Sequence, residues 1–280
     1  MPNHTTQTMR VEGNAEDIAK LLALFEIEDP DNSPNEPTND EGSGKSYYFD
    51  FNKVIPMPES LNVESGSKSS WGSEIFTFPD RLIGSENDWV ARRAKGLSTL
   101  LLSQGVTTYQ DLSNLVLSEN PPDWWFCAEE SARLDLTAIV RCGHVCMDNI
   151  KRYGHDTWYS WSIAHWGTKW NSYHNSISDV EPSSFTFEYQ TAWSPPTPVL
   201  TKLFEMFPRL SFTIDYIDEG WLYAGTMTSE NGELVDHDVP SSEMNSFVYE
   251  KFGWEFDEDE DEDAKTTVSQ NLPTSTSAKH

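Results

Sequence analysis

Cysteine is scarce in this chain, with three in 280 residues. So small and odd a number does not build a disulfide framework, which predicts a reducing, cytoplasmic setting. Long apolar runs are missing too. No stretch approaches the roughly 18 consecutive apolar residues of a membrane span. The start, Met1-Pro2-Asn3-His4-Thr5, has neither the basic opening nor the apolar stretch of an export signal, so none is expected. Basic residues are the third shortage: 19 Lys and Arg stand against 46 Asp and Glu, a formal net charge of −27. Phosphate binding along a groove needs lysines and arginines, so this balance argues against a nucleic-acid groove and against an anionic membrane surface. It favours high solubility or a basic partner protein. Finally, there is no G-x-S-x-G, P-loop, G-x-G-x-x-G or H-E-x-x-H pattern. The chain carries no catalytic signature; it reads as non-enzymatic, with no cofactor and no metal.

Aromatic residues are plentiful: 11 Trp, 10 Tyr and 14 Phe. Each buries a large area, so a substantial core is within reach despite the charge. From Gln7 to Glu12 apolar and polar residues alternate, with Met9 and Val11 on one face, as in a half-buried strand. Asn14 and Asp17 form a capping pair for a helix whose stripe is Ile18, Leu21, Leu22 and Phe25. Residues 26–46 turn polar and acidic and predict a mobile loop. Tyr47, Phe49 and Phe51 resume the alternation, and Pro56 and Pro58 end it.

Residues 59–84 read as mostly irregular. Ser85 with Asp88 predicts a helix start running to Gln104, and Thr108 with Asp111 a second. A longer helix spans about 129–153, closed by Gly154. Its stripe is Leu136, Ile139, Val140, Gly143, Cys146, Met147 and Ile150, and Gly143 within it predicts close approach of another backbone. Thr157 to Ile163 is aromatic and reads as extended. Ser184 to Gln190 alternates with Phe185, Phe187 and Tyr189 inward. Thr197 is placed as a cap, Pro198 in the first turn, and Leu200, Leu203, Phe204 and Phe207 toward the core. Leu210 to Tyr216 and Trp221 to Met227 read as strands, with Asn231-Gly232 a hairpin signal.

The resulting order is β-α-β, a helical insertion, then β-β-α-β-β. Without the insertion this is a ferredoxin-like α+β pattern, an antiparallel sheet with helices on one face. It predicts a single domain over 1–254: a β-α-β half at 1–58, an insertion at 85–154 and a C-terminal half at 157–236. The block Asp257 to Asp263 repels itself, so 255–280 is expected to be a disordered acidic tail.

The most specific local feature is Trp166-Gly167-Thr168-Lys169-Trp170. Two indoles flanking a lysine can form a platform for an anion or a base, with Trp193 nearby; the competing reading is packing beneath the sheet. Cys142-Gly143-His144-Val145-Cys146, with Cys127 and His155 near, invites zinc. On a helix, however, His144 points about 160° from Cys142, so a buried thiol is the better reading. Of the acids, those on structured elements matter for mimicry of a nucleic acid: Glu188, Asp215, Asp218, Glu219, Glu230, Glu233, Asp236 and Asp238. Strand spacing sets i, i+2 carboxylates about 7 Å apart, similar to phosphates along a duplex.

The segment Trp161 to Asn171, with its Trp166-Gly167-Thr168-Lys169-Trp170-Asn171 run, resembles the N-W-G-T-K-W-N motif of the YubB ferredoxin-like family. Phe187 to Pro196, the helix after it, the opening Met1-Pro2-Asn3-His4 and the Phe51 to Pro58 run are also similar. The resemblance is densest over 158–228 and returns over 1–58. It implies a ferredoxin-like fold and a setting in bacteriophages and conjugative plasmids, but no reaction. Relatives carry Tyr-Asp where this chain has Tyr173-His174, so no acid role carries over there.

Three functions compete. The first is a non-enzymatic phage or plasmid accessory protein, an acidic inhibitor that mimics nucleic acid toward a basic, DNA-handling or defence protein of the host. The second is a module binding single-stranded nucleic acid or nucleotides through the aromatic sheet and the Trp166–Trp170 region. The third is an unrecognised enzyme using His165 and Lys169.

Overall fold

The computed structural model describes residues 3–27, 38–39, 45–85, 88–93, 95–230 and 232–254. Strand β1 (His4–Glu12) leads into helix α1 (Ala15–Phe25). Three short strands follow, β2 (Glu26–Ile27), β3 (Thr38–Asn39) and β4 (Ser46–Tyr47). Then come helices α2 (Ser67–Thr77), α3 (Trp89–Arg93), α4 (Lys95–Ser103), α5 (Tyr109–Leu117), α6 (Glu130–Tyr153) and α7 (Trp158–Trp166). The chain continues through β5 (Tyr173–Glu181), β6 (Ser184–Ala192), α8 (Thr197–Met206), β7 (Ser211–Asp218), β8 (Ala224–Glu230), β9 (Glu233–Asp238) and α9 (Met244–Phe252). The acidic tail and most of the expected mobile loop lie outside the described residues.

The main sheet has the order β5-β6-β1-β7-β8-β9, and every neighbouring pair is antiparallel. Met9 lies opposite Phe187 on one side and Ile214 on the other. The path β1-α1-β5-β6-α8-β7 is the ferredoxin-like pattern, extended at one edge by β8 and β9. The strand that completes the first β-α-β unit is β5, not the expected Tyr47–Asn52 strand. Only Ser46–Tyr47 is extended there, in a separate sheet of order β2-β4-β3. Tyr47, Tyr48, Phe49 and Phe51 are all buried, so this run is packed on both sides and its apparent alternation marks no strand.

One face of the sheet is covered by α1 and α8. Ile18, Leu21, Phe25, Leu200, Leu203 and Phe204 form a single core with Met9, Phe185, Phe187, Phe212 and Ile214. The Phe25 ring lies 5.2 Å from Phe187, and Phe204 stacks on Phe212 at 4.6 Å. The expected Asn14 cap holds, with the Asp17 N–H donating to its side chain. Helix α9 packs on the opposite face, where Met244 and Val248 meet Ile217 and Ala224. The sheet aromatics therefore point into the core, and none of Phe185, Phe187, Tyr189, Phe212 or Tyr216 is open to stack a ligand.

A second core joins α2 to α6, through Ile75, Trp89, Leu101, Tyr109, Leu112, Ile139 and Val140. Helix α2 lies where irregular chain is expected. Its buried face is only Ser69, Gly72 and Ile75, too small and polar to give a periodic apolar signal. It is held by α6: a Cβ added to Gly143 would fall on the Gly72 carbonyl, so the two backbones touch. The close approach predicted at Gly143 is thus made, and the helical part begins at Ser67 rather than 85.

Smaller differences have local causes. Asp88 itself caps α3, accepting from the N–H groups of Gly84, Val90 and Ala91, so Ser85 is not the cap. Thr108 and Asp111 form the expected reciprocal box. Ile150 is exposed and Asn149 is buried instead, its amide donating to the Ser60 carbonyl. Thr197 is the first helical residue rather than a side-chain cap. The largest misreading is Thr157–Ile163, which is helix α7. Aromatic residues favour strands on average, but here Thr157 is the N-cap of a helix whose Trp161 and Trp166 pack in the sheet core, with Asp156 accepting from the Thr157 N–H and the Ser160 hydroxyl at its start.

Candidate functional site: an aromatic cluster around Lys169

Helix α7 ends at Gly167, whose φ of +79° is the left-handed conformation and whose Cα abuts the Pro198 ring. A side chain there meets both strain and a clash, so glycine is required. The next residues are stapled to the end of β6. The Thr168 hydroxyl donates to the Ala192 carbonyl at 2.6 Å, and the Ser194 hydroxyl to the Gly167 carbonyl at 2.6 Å. These two bonds bring Trp193 beside Lys169, 24 residues earlier in the chain.

The Lys169 ammonium then lies over three rings, 4.6 Å from the centroid of Trp170, 5.3 Å from Trp193 and 5.7 Å from Tyr159. All three fall within cation–π range. Trp170 and Trp193 stay 37% and 39% exposed. A groove of about 250 Å³ runs alongside, lined by Met57, Asn62, Trp158, Trp166, Trp170 and Asn171 together with Lys169. In a chain with 46 acids, residues 157–178 contain no Asp or Glu. The surface thus offers flat apolar rings and one cation, with the Asp50 carboxylate accepting from the Asn171 amide at the groove's edge.

The five expected binding residues divide. Trp166 is buried, its indole N–H donating to the Ile55 carbonyl and its ring packed edge-on against Trp161 and Phe51. Thr168 is buried as the staple. These two build the site from within, so the packing reading holds for them, whereas Lys169, Trp170 and Trp193 face outward. Tyr159 and Trp158 were not picked out, because a strand in place of α7 puts them elsewhere. Met57 and Asn62 reach the groove only through long-range packing.

His165 does not join Lys169. Its ring stacks on Trp161 at 4.5 Å and meets His155 at 5.2 Å, whereas the lysine takes other ring partners. A second histidine has polar partners: His4 Nδ1 is 2.7 Å from the Tyr173 hydroxyl, and its Nε2 is 4.0 Å from Glu219. Burial, aided by Glu219, pushes the Tyr173 phenol up, so it stays protonated.

The eight acids expected to form one surface are dispersed. Asp215 is fully buried, 2.5 Å from Arg10 Nη1 and accepting from the Thr226 hydroxyl. Asp218 is 1% exposed and accepts from the Gly220 N–H. Both are internal structural groups. Asp236 and Asp238 accept from the Tyr216 hydroxyl, which puts them on the side of the sheet that α1 and α8 cover. Strand register sets Glu188, Glu230 and Glu233 on the other side, and Glu219 lies in the turn after β7. Cys146 is buried, and burial with the neighbouring thiol pushes it up to about 12; Cys142 is raised as well. His144 instead faces outward beside Asp148. Among the described residues no three Cys, His, Asp or Glu side chains form a metal-holding group, and no helix is long and apolar enough to cross a membrane.

A family model described as a ferredoxin-like domain in Api92-like protein matches residues 166–269. The match is to a ferredoxin-like domain, the same class as the sheet and helices described above. Among solved structures, the crystal structure of a protein api92 from Yersinia pseudotuberculosis is similar at 10% identity, with a TM-score of 0.37, covering 86% of this chain and 99% of that one. No curated protein matches the chain.

Proposed function

We propose that this chain is a non-enzymatic binding protein that stacks the bases of single-stranded nucleic acid, or a nucleotide, on the aromatic cluster around Lys169. The observation that carries this reading is the lysine ammonium held among Tyr159, Trp170 and Trp193 beside an indole-lined groove. Exposed aromatic faces stack any base, and an adjacent cation pairs with the phosphate. The surface lies at the end of the sheet, not on its face, where the aromatics are buried. The resemblance to YubB-like proteins supports a phage- or plasmid-encoded accessory role, in the cytoplasm of a bacterial host.

The acidic-inhibitor reading, with a basic host protein as partner, draws on the net charge of −27. It loses its best candidates with Asp215 and Asp218 internal and the other acids divided between two faces and a turn.

The test is fluorescence anisotropy of a labelled 12-nucleotide oligothymidylate at low salt. Binding is expected, weakened about tenfold by Trp170→Ala, in line with the worth of one stacked base. No binding by the unaltered chain at low ionic strength removes the reading.

A further inference from the structure

Trp193 has a φ of +76°. A bulky aromatic residue in the left-handed region is uncommon, and glycine would occupy it without strain. Strain of this kind persists only where the surroundings enforce it, and it gathers at binding sites.

Here the peptide of Trp193 is gripped on both sides. Its N–H donates to the Asn3 carbonyl at 2.9 Å. Its carbonyl accepts from the Tyr223 hydroxyl at 2.5 Å, and that same hydroxyl is 2.6 Å from Thr5 Oγ1. A phenol has one proton. Since Tyr223 gives it to the Trp193 carbonyl, the Thr5 hydroxyl must donate to Tyr223. The direction of the chain is therefore Thr5 to Tyr223 to Trp193. The outcome is an indole that is 39% exposed, set 5.3 Å from the Lys169 ammonium and edge-on to Tyr159 at 6.3 Å.

We infer that Tyr223, backed by Thr5, is a positioning residue that holds Trp193 in a strained backbone conformation so that its indole serves as a stacking face of the Lys169 site. This rests on the binding reading above. It adds that strain is tolerated at 193 for the sake of the side chain, and that a hydroxyl outside the site sets the site's geometry.

The experiment uses the full chain and two readouts. In thermal unfolding, Trp193→Gly is expected to melt above Trp193→Ala, because both lose the indole and only glycine takes this φ without strain. Tyr223→Phe is expected to lower the midpoint, and to lower it by less in the Trp193→Gly background, where no clamp is needed. A midpoint for Trp193→Gly at or below that of Trp193→Ala, or an equal effect of Tyr223→Phe in both backgrounds, overturns the clamp. In oligothymidylate binding, Trp193→Gly should weaken affinity at least tenfold and Tyr223→Phe threefold to tenfold, both chains remaining folded. Undiminished affinity in both variants overturns the positioning role. If the unaltered chain binds no oligonucleotide, the function reading falls with the stacking role, while the unfolding comparison still decides the clamp.

Discussion

The sheet and the helical part both bury apolar cores, but they differ in how their elements make closest approach. In the sheet, large rings do the filling: Phe185, Phe187 and Tyr189 from one strand, Phe212 and Tyr216 from another, closed by Phe25 and Phe204. In the helical part, the closest contact involves no side chain at all, since Gly72 and Gly143 let the α2 and α6 backbones touch. Side-chain volume fills both cores, and in the helical part its absence at one crossing lets two backbones meet. The same contrast explains why the binding cluster sits where it does. Helix α7 follows the helical part in sequence, yet Trp161 and Trp166 pack in the sheet core, so the cluster forms at the junction.

Three substitutions or conditions probe this contrast, in falling order of effect. Phe187→Ala removes a fully buried ring from the sheet core and should cost about 4 kcal/mol in urea unfolding. A cost under 1 kcal/mol means the sheet core is not filled as described. Gly143→Ala is the converse experiment. Alanine gains roughly 1 kcal/mol of helix propensity over glycine, but its methyl group has no room against the Gly72 carbonyl. Forced separation should dominate, for a net loss of about 2 kcal/mol; a more stable variant would show that the crossing is not limited by backbone contact.

The smallest effect concerns acid. The Arg209 guanidinium, followed by the Asn14 amide, holds the Asp17 carboxyl below its usual range. The guanidinium makes two 2.8 Å bonds to it. A depressed carboxyl stabilises the fold fully above its unfolded value of about 3.9, and that contribution fades as pH falls through the folded value. Asp17→Asn should therefore lower the unfolding midpoint at pH 6 and lose that deficit toward pH 2. A deficit independent of pH would assign the effect to helix capping alone.

Much of the sheet was legible because its signals are local. Period-two alternation in β1, β6 and β7 and the Asn14 cap each follow from a few adjacent residues. The site was legible only in part. Lys169, Trp170 and Trp193 stand out by residue type, but Tyr159 and Trp158 do not, because α7 is set by long-range packing of Trp161 and Trp166 in the sheet core, against the strand preference of an aromatic run. The acids misled for the reverse reason: Asp215 and Asp218 look like surface charge in sequence, and only folding sets them against Arg10 and the backbone of a turn.

By itself, then, the sequence determined the ferredoxin-like class, the apolar faces of its strands and the glycine where two backbones would meet. Short-range sterics and periodicity are enough for these. The tertiary structure alone decided that β5 rather than the Tyr47 run completes the sheet, which acids are internal, and that Tyr159, Lys169, Trp170 and Trp193 share one surface. Those outcomes depend on contacts between residues tens to hundreds of positions apart, where burial and hydrogen-bond partners override local preference.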